Sequence, residues 1–243
     1  MIPKKIHYCW FGRNPLPEDA QKCIASWRKY FPDYEIIEWN EDNFDVNSIP
    51  YTAQAYSAKK YAFVSDYARF KILYEYGGLY FDTDVEVIKP FDDILEKGGF
   101  MGREMEARKG GLVNPGVGMG VEKGHRIYEA VLKKYAGLCF LNPDGSYNLK
   151  TVVSYTTEEL SNFGLQCTDE IQNLNGIYIY PVEYFNPFDD LTGKLKKTPN
   201  THSIHWFSKS WLPVSTFRTK ISRLSHRILG IHFTTSIRKL FNI

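Results

Sequence analysis

The sequence predicts an α/β chain built on a Rossmann-like sheet, and three observations carry that reading. Strand-like and helix-like segments alternate from the N-terminus onward. A double glycine stops the longest of the helical segments and opens an aromatic, β-branched run. Inside that run stand two aspartates one residue apart, as Glu-Tyr-Gly-Gly-Leu-Tyr-Phe-Asp-Thr-Asp-Val-Glu-Val-Ile over residues 75–88. A chain of 243 residues suits one such domain with a sizeable core.

The elements follow in order. Residues 5–11 read as a buried strand that ends in an aromatic and a turn at Gly12, residues 17–31 as a helix, and residues 35–40 as a second strand. Residues 57–76 read as a helix, because Ala62, Phe63, Phe70, Leu73 and Tyr74 recur at helical spacing and Gly77 stands where a left-handed C-terminal cap belongs. Residues 79–88 then form a strand. The glycine-rich stretch from Asn114 to Gly120 reads as a strand and turn before a helix over 125–135. Segments 40–50, 142–147 and 186–200, rich in Asn, Asp, Gly and Pro, read as loops, and neither an internal repeat nor a low-complexity linker interrupts the chain.

Two carboxylates inside an apolar strand need a partner, since burying an unpaired charge is costly. Side chains at i and i+2 of a strand share a face, about 6.6 Å apart at Cα, so Asp82 and Asp84 can lean toward a single divalent cation. The plain alternative is a solvated turn at a strand end. On the preceding helix Asp66 and Arg69 are three apart and share a face. They are either a surface ion pair or a pair that meets sugar hydroxyls and sugar or phosphate oxygens in the same pocket. Ligands of open α/β sheets sit beyond the carboxyl ends of strands. Trp10 and Gly12 therefore fall where a base stacks, unless Trp10 is ordinary core.

Taken together, Ile2-Pro3-Lys4-x-Ile6-His7-x-x-Trp10-Phe11-Gly12, followed by Ser65-Asp66-Tyr67-x-Arg69-x-x-x-Leu73-Tyr74-x-x-Gly77-Gly78-x-Tyr80-x-Asp82-x-Asp84, resembles the Asp-x-Asp sugar-binding-region glycosyltransferases of family 32. The likeness is dense over residues 1–90 and thins beyond 125. It implies a GT-A type nucleotide-sugar-binding domain and transfer with retention at the anomeric carbon. By the same resemblance Asp82 and Asp84 bind Mn²⁺ (or Mg²⁺) and through it the donor diphosphate, Asp66 and Arg69 contact the donor sugar, and Trp10 packs on the base. Asn114 matches the segment where relatives place an Asn near the reacting sugar. The run from His205 to Trp211 is similar to the closing segment that caps metal and diphosphate, with His205 preferred to His202 as the metal-side histidine.

The implied partners are a UDP- or GDP-sugar donor and a glycan acceptor, including a lipid-linked one, in bacterial surface polysaccharide synthesis. A non-catalytic nucleotide-sugar or carbohydrate binding protein uses the same residues equally well. A glycoside hydrolase fits less well, because its two carboxylates must flank the scissile bond about 5 to 9 Å apart, whereas Asp82 and Asp84 converge on one point.

The net charge of +2 hides an asymmetry: residues 194–243 carry ten Lys and Arg and no acid, which leaves −8 for residues 1–193. Within that segment Phe217, Ile221, Leu224, Ile228 and Ile231 keep one helical face while Lys220, Arg223 and Arg227 gather on another. Such a helix either lies on an anionic membrane surface or docks on the catalytic domain. The expected division is a catalytic domain over 1–212 and a basic amphipathic extension over 213–243. Nucleic acid is not an expected partner, since the rest of the chain is acidic and carries no recognition motif. Cys9, Cys23, Cys139 and Cys167 show no ligand spacing and read as buried free thiols of a reducing compartment. With neither a signal peptide nor a spanning segment in view, the expected location is cytoplasmic, peripheral on the inner face of the cell membrane.

Overall fold

The computed structural model describes residues 1–208, so Trp211 and the 213–243 extension with its apolar stripe lie outside the described residues. The first half of the chain supplies β1 (Lys5–Cys9), α1 (Glu18–Tyr30), β2 (Glu35–Trp39), α2 (Pro50–Ser57), α3 (Tyr61–Tyr76), β3 (Gly78–Tyr80), β4 (Val85–Val87), α4 (Asp92–Leu95) and β5 (Gly99–Arg103). After it come β6 (Val113–Val121), α5 (Arg126–Ala136), α6 (Val152–Asn162), β7 (Gln172–Leu174), β8 (Ile177–Tyr180) and α7 (Val182–Phe185). The described elements close with β9 (Phe188–Asp189), β10 (Lys194–Leu195) and β11 (Ser203–His205).

Seven strands form one sheet in the order β2-β1-β3-β6-β5-β8-β7. Five run the same way; β6 and β7 are antiparallel to their neighbours. Alternate residues of each strand feed opposite layers, as the pleat requires. Ile6, Leu79, Phe100 and Val117 face the layer that holds Ile24 and Trp27 of α1, while Tyr80, Met101 and Met119 face the layer of α3, α5 and α6, with Phe70, Leu73, Val131 and Leu160. Helix α1 folds because Ala20, Cys23, Ile24 and Trp27 make one buried stripe, with Glu18 and Asp19 at its positive end and Arg28 and Lys29 at its negative end. Its Trp27, fully buried, donates from Nε1 to the Val85 carbonyl at 2.7 Å, and Ser26 Oγ accepts from the Val87 amide at 2.9 Å. That pair of bonds pins β4 against α1.

Two elements differ from the sequence expectation. The helix expected over 57–76 is broken near its start: Lys59 takes a left-handed φ of 57°, so α2 ends at Ser57 and the helix that carries the expected pattern, α3, begins at Tyr61. The strand expected over 79–88 is also two pieces. Ladder pairing of β3 with β6 stops at Tyr80, the Asp82 amide donates to the Gly116 carbonyl, and the Val85 amide donates back to the Asp82 carbonyl at 3.0 Å. The chain thereby turns out of the sheet, and β4 pairs instead with β11. The double glycine keeps its expected role: Gly77, at φ 65°, caps α3 through its amide to the Leu73 carbonyl, and a Cβ there would lie 2.9 Å from both the Lys123 nitrogen and Pro3 Cδ.

All four cysteines are free. Cys9 and Cys23 are buried as expected, but Cys139 and Cys167 are exposed, since they lie in surface segments after α5 and before β7. No described helix is long and apolar enough to cross a membrane.

Candidate active site

A cavity of about 350 Å³ opens beyond the carboxyl ends of β1 and β3, walled on its far side by the start of α3 and the start of α6. Position follows from topology: β1 delivers Trp10 and β3 delivers Asp82, while α3 passes Asp66 and Arg69 along the same edge.

The turn after β3, rather than a strand pleat, brings Asp82 and Asp84 together, and β11 adds the third group. In the β4–β11 ribbon His205 stands opposite Val85, one residue from Asp84. One ligand atom from each of Asp82, Asp84 and His205 lies within 4.8 Å of the others. His205 Nε2 is 3.2 Å from Asp84 Oδ1, and its Nδ1 is buried with no hydrogen-bond partner among the described residues. The other oxygen of Asp84 accepts from the Ser208 amide at 2.8 Å and from its hydroxyl at 3.2 Å. Burial alone would raise the Asp84 pKa; His205 and the Ser208 donors outweigh it and hold the carboxyl down at about 2. Burial likewise opposes charge on His205, and Asp84 beside it outweighs that and raises its pKa. Two hard carboxylates and an imidazole that converge on one point suit a divalent cation.

Arg69 is the hub behind this centre. Only 5% of its side chain is exposed, and its Nη2 lies 3.1 Å from Asp66 Oδ1 and 3.2 Å from Asp82 Oδ1. Nε donates to the Ser65 carbonyl, Nη1 reaches Asp82 Oδ2 at 3.4 Å, and the guanidinium lies 5.0 Å over the Tyr80 ring. Tyr80 in turn donates to Asp82 Oδ1 at 3.0 Å. Arg69 thus holds two carboxylates in place with bonds that all go to protein groups. Asp66 is pushed up to about 7 by burial, against the pull of Arg69, and the Val152 amide at the start of α6 faces it. Asp82 is also raised, by burial first and by its neighbour Asp84, with Arg69 opposing.

Trp10 lines the cavity with its indole fixed by a 2.6 Å bond from Nε1 to the Asn14 carbonyl. Gly12 stands behind the wall rather than in it: its amide donates to Glu41 at 2.6 Å, and a side chain there would meet the ring of Tyr61, which does line the cavity. Asn114 lines the cavity, yet both ends of its amide are engaged, Nδ2 with Glu104 Oε2 at 2.8 Å and Oδ1 with the Gly116 amide at 2.7 Å. His202, the alternative to His205, lies elsewhere, bonded to Asp93 and the Asn200 carbonyl. Trp211 lies outside the described residues. Sequence reasoning placed Tyr80 in the Asp-x-Asp motif and Ser208 in the closing run without giving either a role of its own, and it missed the α6 start at Thr151–Val153. Thr151, a helix-capping type three residues before Ser154, was the available signal for α6.

The family described as glycosyltransferase sugar-binding region containing DXD motif matches residues 17–100. Inositol phosphoceramide mannosyltransferase 1 of Schizosaccharomyces pombe is 32% identical over 116 residues, 41% of this chain and 33% of the fungal protein. The chain therefore spans about a third of that relative's length. An uncharacterized glycosyltransferase of Acanthamoeba polyphaga mimivirus is 27% identical over 199 residues, 76% of each chain. Among solved structures the PaToxG glycosyltransferase superposes with a TM-score of 0.53 at 22% identity, over 66% of this chain and 69% of that one. That likeness shows the fold, a mixed α/β GT-A type domain.

Proposed function

We propose, from the match of residues 17–100 to the glycosyltransferase sugar-binding region containing a DXD motif, that the protein is a metal-dependent glycosyltransferase. It moves a sugar from a nucleotide-sugar donor to a hydroxyl of a glycan acceptor, with retention. The observation that carries this reading is the convergence of Asp82, Asp84 and His205 at the floor of a cavity that also takes in Trp10, Asp66 and Arg69.

Asp82, Asp84 and His205 are the residues that would hold the ion. When bound, a divalent ion supplies Lewis-acid stabilisation of the departing nucleotide diphosphate. This chain's own residues do the positioning. Arg69 and Tyr80 fix Asp82, and the Ser208 donors fix Asp84, so both carboxylates are oriented before anything binds. Asp66, with a pKa near 7, can accept from or donate to a donor-sugar hydroxyl near neutral pH. Trp10, locked by the Asn14 carbonyl, offers a preorganised face to the base. Val152 and Val153 on the opposite wall shed water, which favours attack by an acceptor hydroxyl over hydrolysis.

The finer parts of the reading are Mn²⁺ or Mg²⁺ as the ion, UDP- or GDP-sugar as donor, a surface polysaccharide as acceptor, and a place on the inner face of the cell membrane. A panel of UDP- and GDP-sugars with Mn²⁺, assayed for nucleotide release with and without acceptor glycans, tests it. Release that disappears with EDTA is the expected result. Tight donor binding without release under any condition would leave a binding protein instead.

A further inference from the structure

Eight large hydrophobic side chains are exposed among the described residues, and three of them, Leu141, Tyr147 and Leu149, fall within nine positions of one segment. Their exposures are 44%, 45% and 60%, and they stand together where exposed apolar residues are ordinarily scattered singly. The segment is not slack. Leu141 and Tyr147 form an antiparallel bridge, flanked by bonds from the Asn142 amide to the Ser146 carbonyl and from the Asn148 amide to the Phe140 carbonyl. Gln54 Oε1 accepts from both the Phe140 and Leu141 amides, and Asn148 bonds the Tyr155 hydroxyl at 2.9 Å. A hairpin finger held at its base therefore presents apolar groups to solvent.

The finger is anchored to the cavity wall through the fully buried ring of Phe140. Phe63 of the cavity wall lies 4.9 Å from Phe140, and Phe140 stacks on Tyr147 at 5.2 Å and 20°. At its other end, Leu149 precedes Thr151, Val152 and Val153 of the same wall by two residues. Lys59 and Lys60, both exposed and without an ion pair among the described residues, form the corner just before the cavity residue Tyr61. An exposed apolar finger anchored on the cavity wall, with two cations at the corner that leads into the same wall, matches an anionic amphiphile rather than a soluble glycan.

We propose that this finger is the docking surface for the lipid portion of a lipid-linked acceptor: its alkyl chain lies on Leu141, Tyr147 and Leu149, its phosphate lies near Lys59 and Lys60, and its hydroxyl enters the cavity. The proposal rests on the transferase reading above. The probe is n-dodecyl phosphate below its micelle concentration, titrated calorimetrically into the full chain, with inorganic phosphate and n-dodecyl maltoside as controls. The wild type should bind dodecyl phosphate more tightly than either control. Tyr147→Ser combined with Leu149→Ser should weaken it at least tenfold, and Lys59→Gln with Lys60→Gln several-fold. Leu149→Ser alone, at the most exposed position, should weaken it several-fold with the melting temperature unchanged.

Equal affinity of wild type and the apolar variants overturns the proposal. So does a wild-type dimer, detected by light scattering, that the variants dissolve, because the finger is then a self-interface. Nucleotide release separates the two claims. If no sugar nucleotide is turned over but finger-dependent binding persists, the transferase reading fails and the lipid surface stands. If release is normal in every variant and dodecyl phosphate binding does not change, the lipid surface alone fails.

Discussion

Asp82 rests against the backbone of Gly116: its amide donates to the Gly116 carbonyl at 3.1 Å, and its carboxylate occupies the space that a Cβ at 116 would need. The glycine is therefore part of the site although it has no side chain. Gly116→Ala should push the carboxylate off Arg69 and away from Asp84, at a cost of about 1–3 kcal/mol from overpacking. Turnover should fall at least tenfold. An alanine variant with unchanged Mn²⁺ dependence would show that Asp82 has room to spare.

Asp84→Asn removes an anionic ligand with almost no change in volume. Mn²⁺-dependent nucleotide release should vanish, while the circular dichroism spectrum stays that of the wild type. Thermal stabilisation by Mn²⁺ should vanish with it, and a stabilisation that survives the change would move the ion elsewhere.

Arg69→Met leaves Asp66 and Asp82 buried beside each other without the cation between them. Breaking a buried pair in this way costs about 3–5 kcal/mol. Asp66→Asn should cost less, because a side chain of nearly the same shape keeps an oxygen toward Arg69. Urea unfolding of both variants gives the comparison; the reverse order would mean that Arg69 is held by something other than its two carboxylates.

Trp10→Ala should weaken binding of free nucleoside diphosphate as well as of the sugar nucleotide. Stacking of a base on an aromatic is worth roughly 1–3 kcal/mol, so a tenfold or larger rise in Kd is expected. Unaltered nucleotide affinity in a folded variant returns Trp10 to a packing role.

His7 links pH to stability away from the site. It is buried, its Nδ1 accepts from Trp39 Nε1 at 3.0 Å, and its Nε2 donates to the Gly77 carbonyl at 3.0 Å. A protonated ring loses the Trp39 bond. Burial lowers its pKa to about 4 from an ordinary 6.5. Because the folded value is the lower one, the unfolded chain takes the proton more readily. Stability is thus untouched above about pH 6.5 and falls as pH drops toward 4, by about 3 kcal/mol in all. His7→Gln keeps a donor and an acceptor and should flatten that acid slope in urea titrations; an unchanged slope assigns acid sensitivity to other groups.

The first half of the fold was legible because its signals are local. Strand β1, helix α1, strand β2 and the Gly77 cap fall within two residues of the expected bounds, each marked by periodicity or a capping type. The full length of strand β6 was obscured by its own composition: Gly118 and Gly120 stand where Phe81, Phe100 and Leu79 fill the space a side chain would take, so a central strand running from Val113 to Val121 reads as a strand and turn. The β7–β8 hairpin had a usable signal in Asn175-Gly176, which adopt φ of 54° and 91° just before the apolar run Ile177–Tyr180. Within the site, the Asp-x-Asp pair was visible and a turn was one of its two readings, but the bond that sets the turn was not, because it depends on an amide of residue 82 finding a carbonyl of residue 116. No local pattern encodes such a bond, nor the register that sets His205 opposite Val85.

The β4–β11 ribbon has a consequence for how the protein comes into being. A chain made from its N-terminus has β1, β2, β3 and β6 available long before residue 203 is added, so the sheet can close while Asp84 still lacks His205 and Ser208. At that stage the two carboxylates face each other with Arg69 as their only nearby cation. The Asp82, Asp84 and His205 cluster is therefore completed last in the described part of the chain, and loss of β11 would dismantle it while leaving the seven-stranded sheet whole.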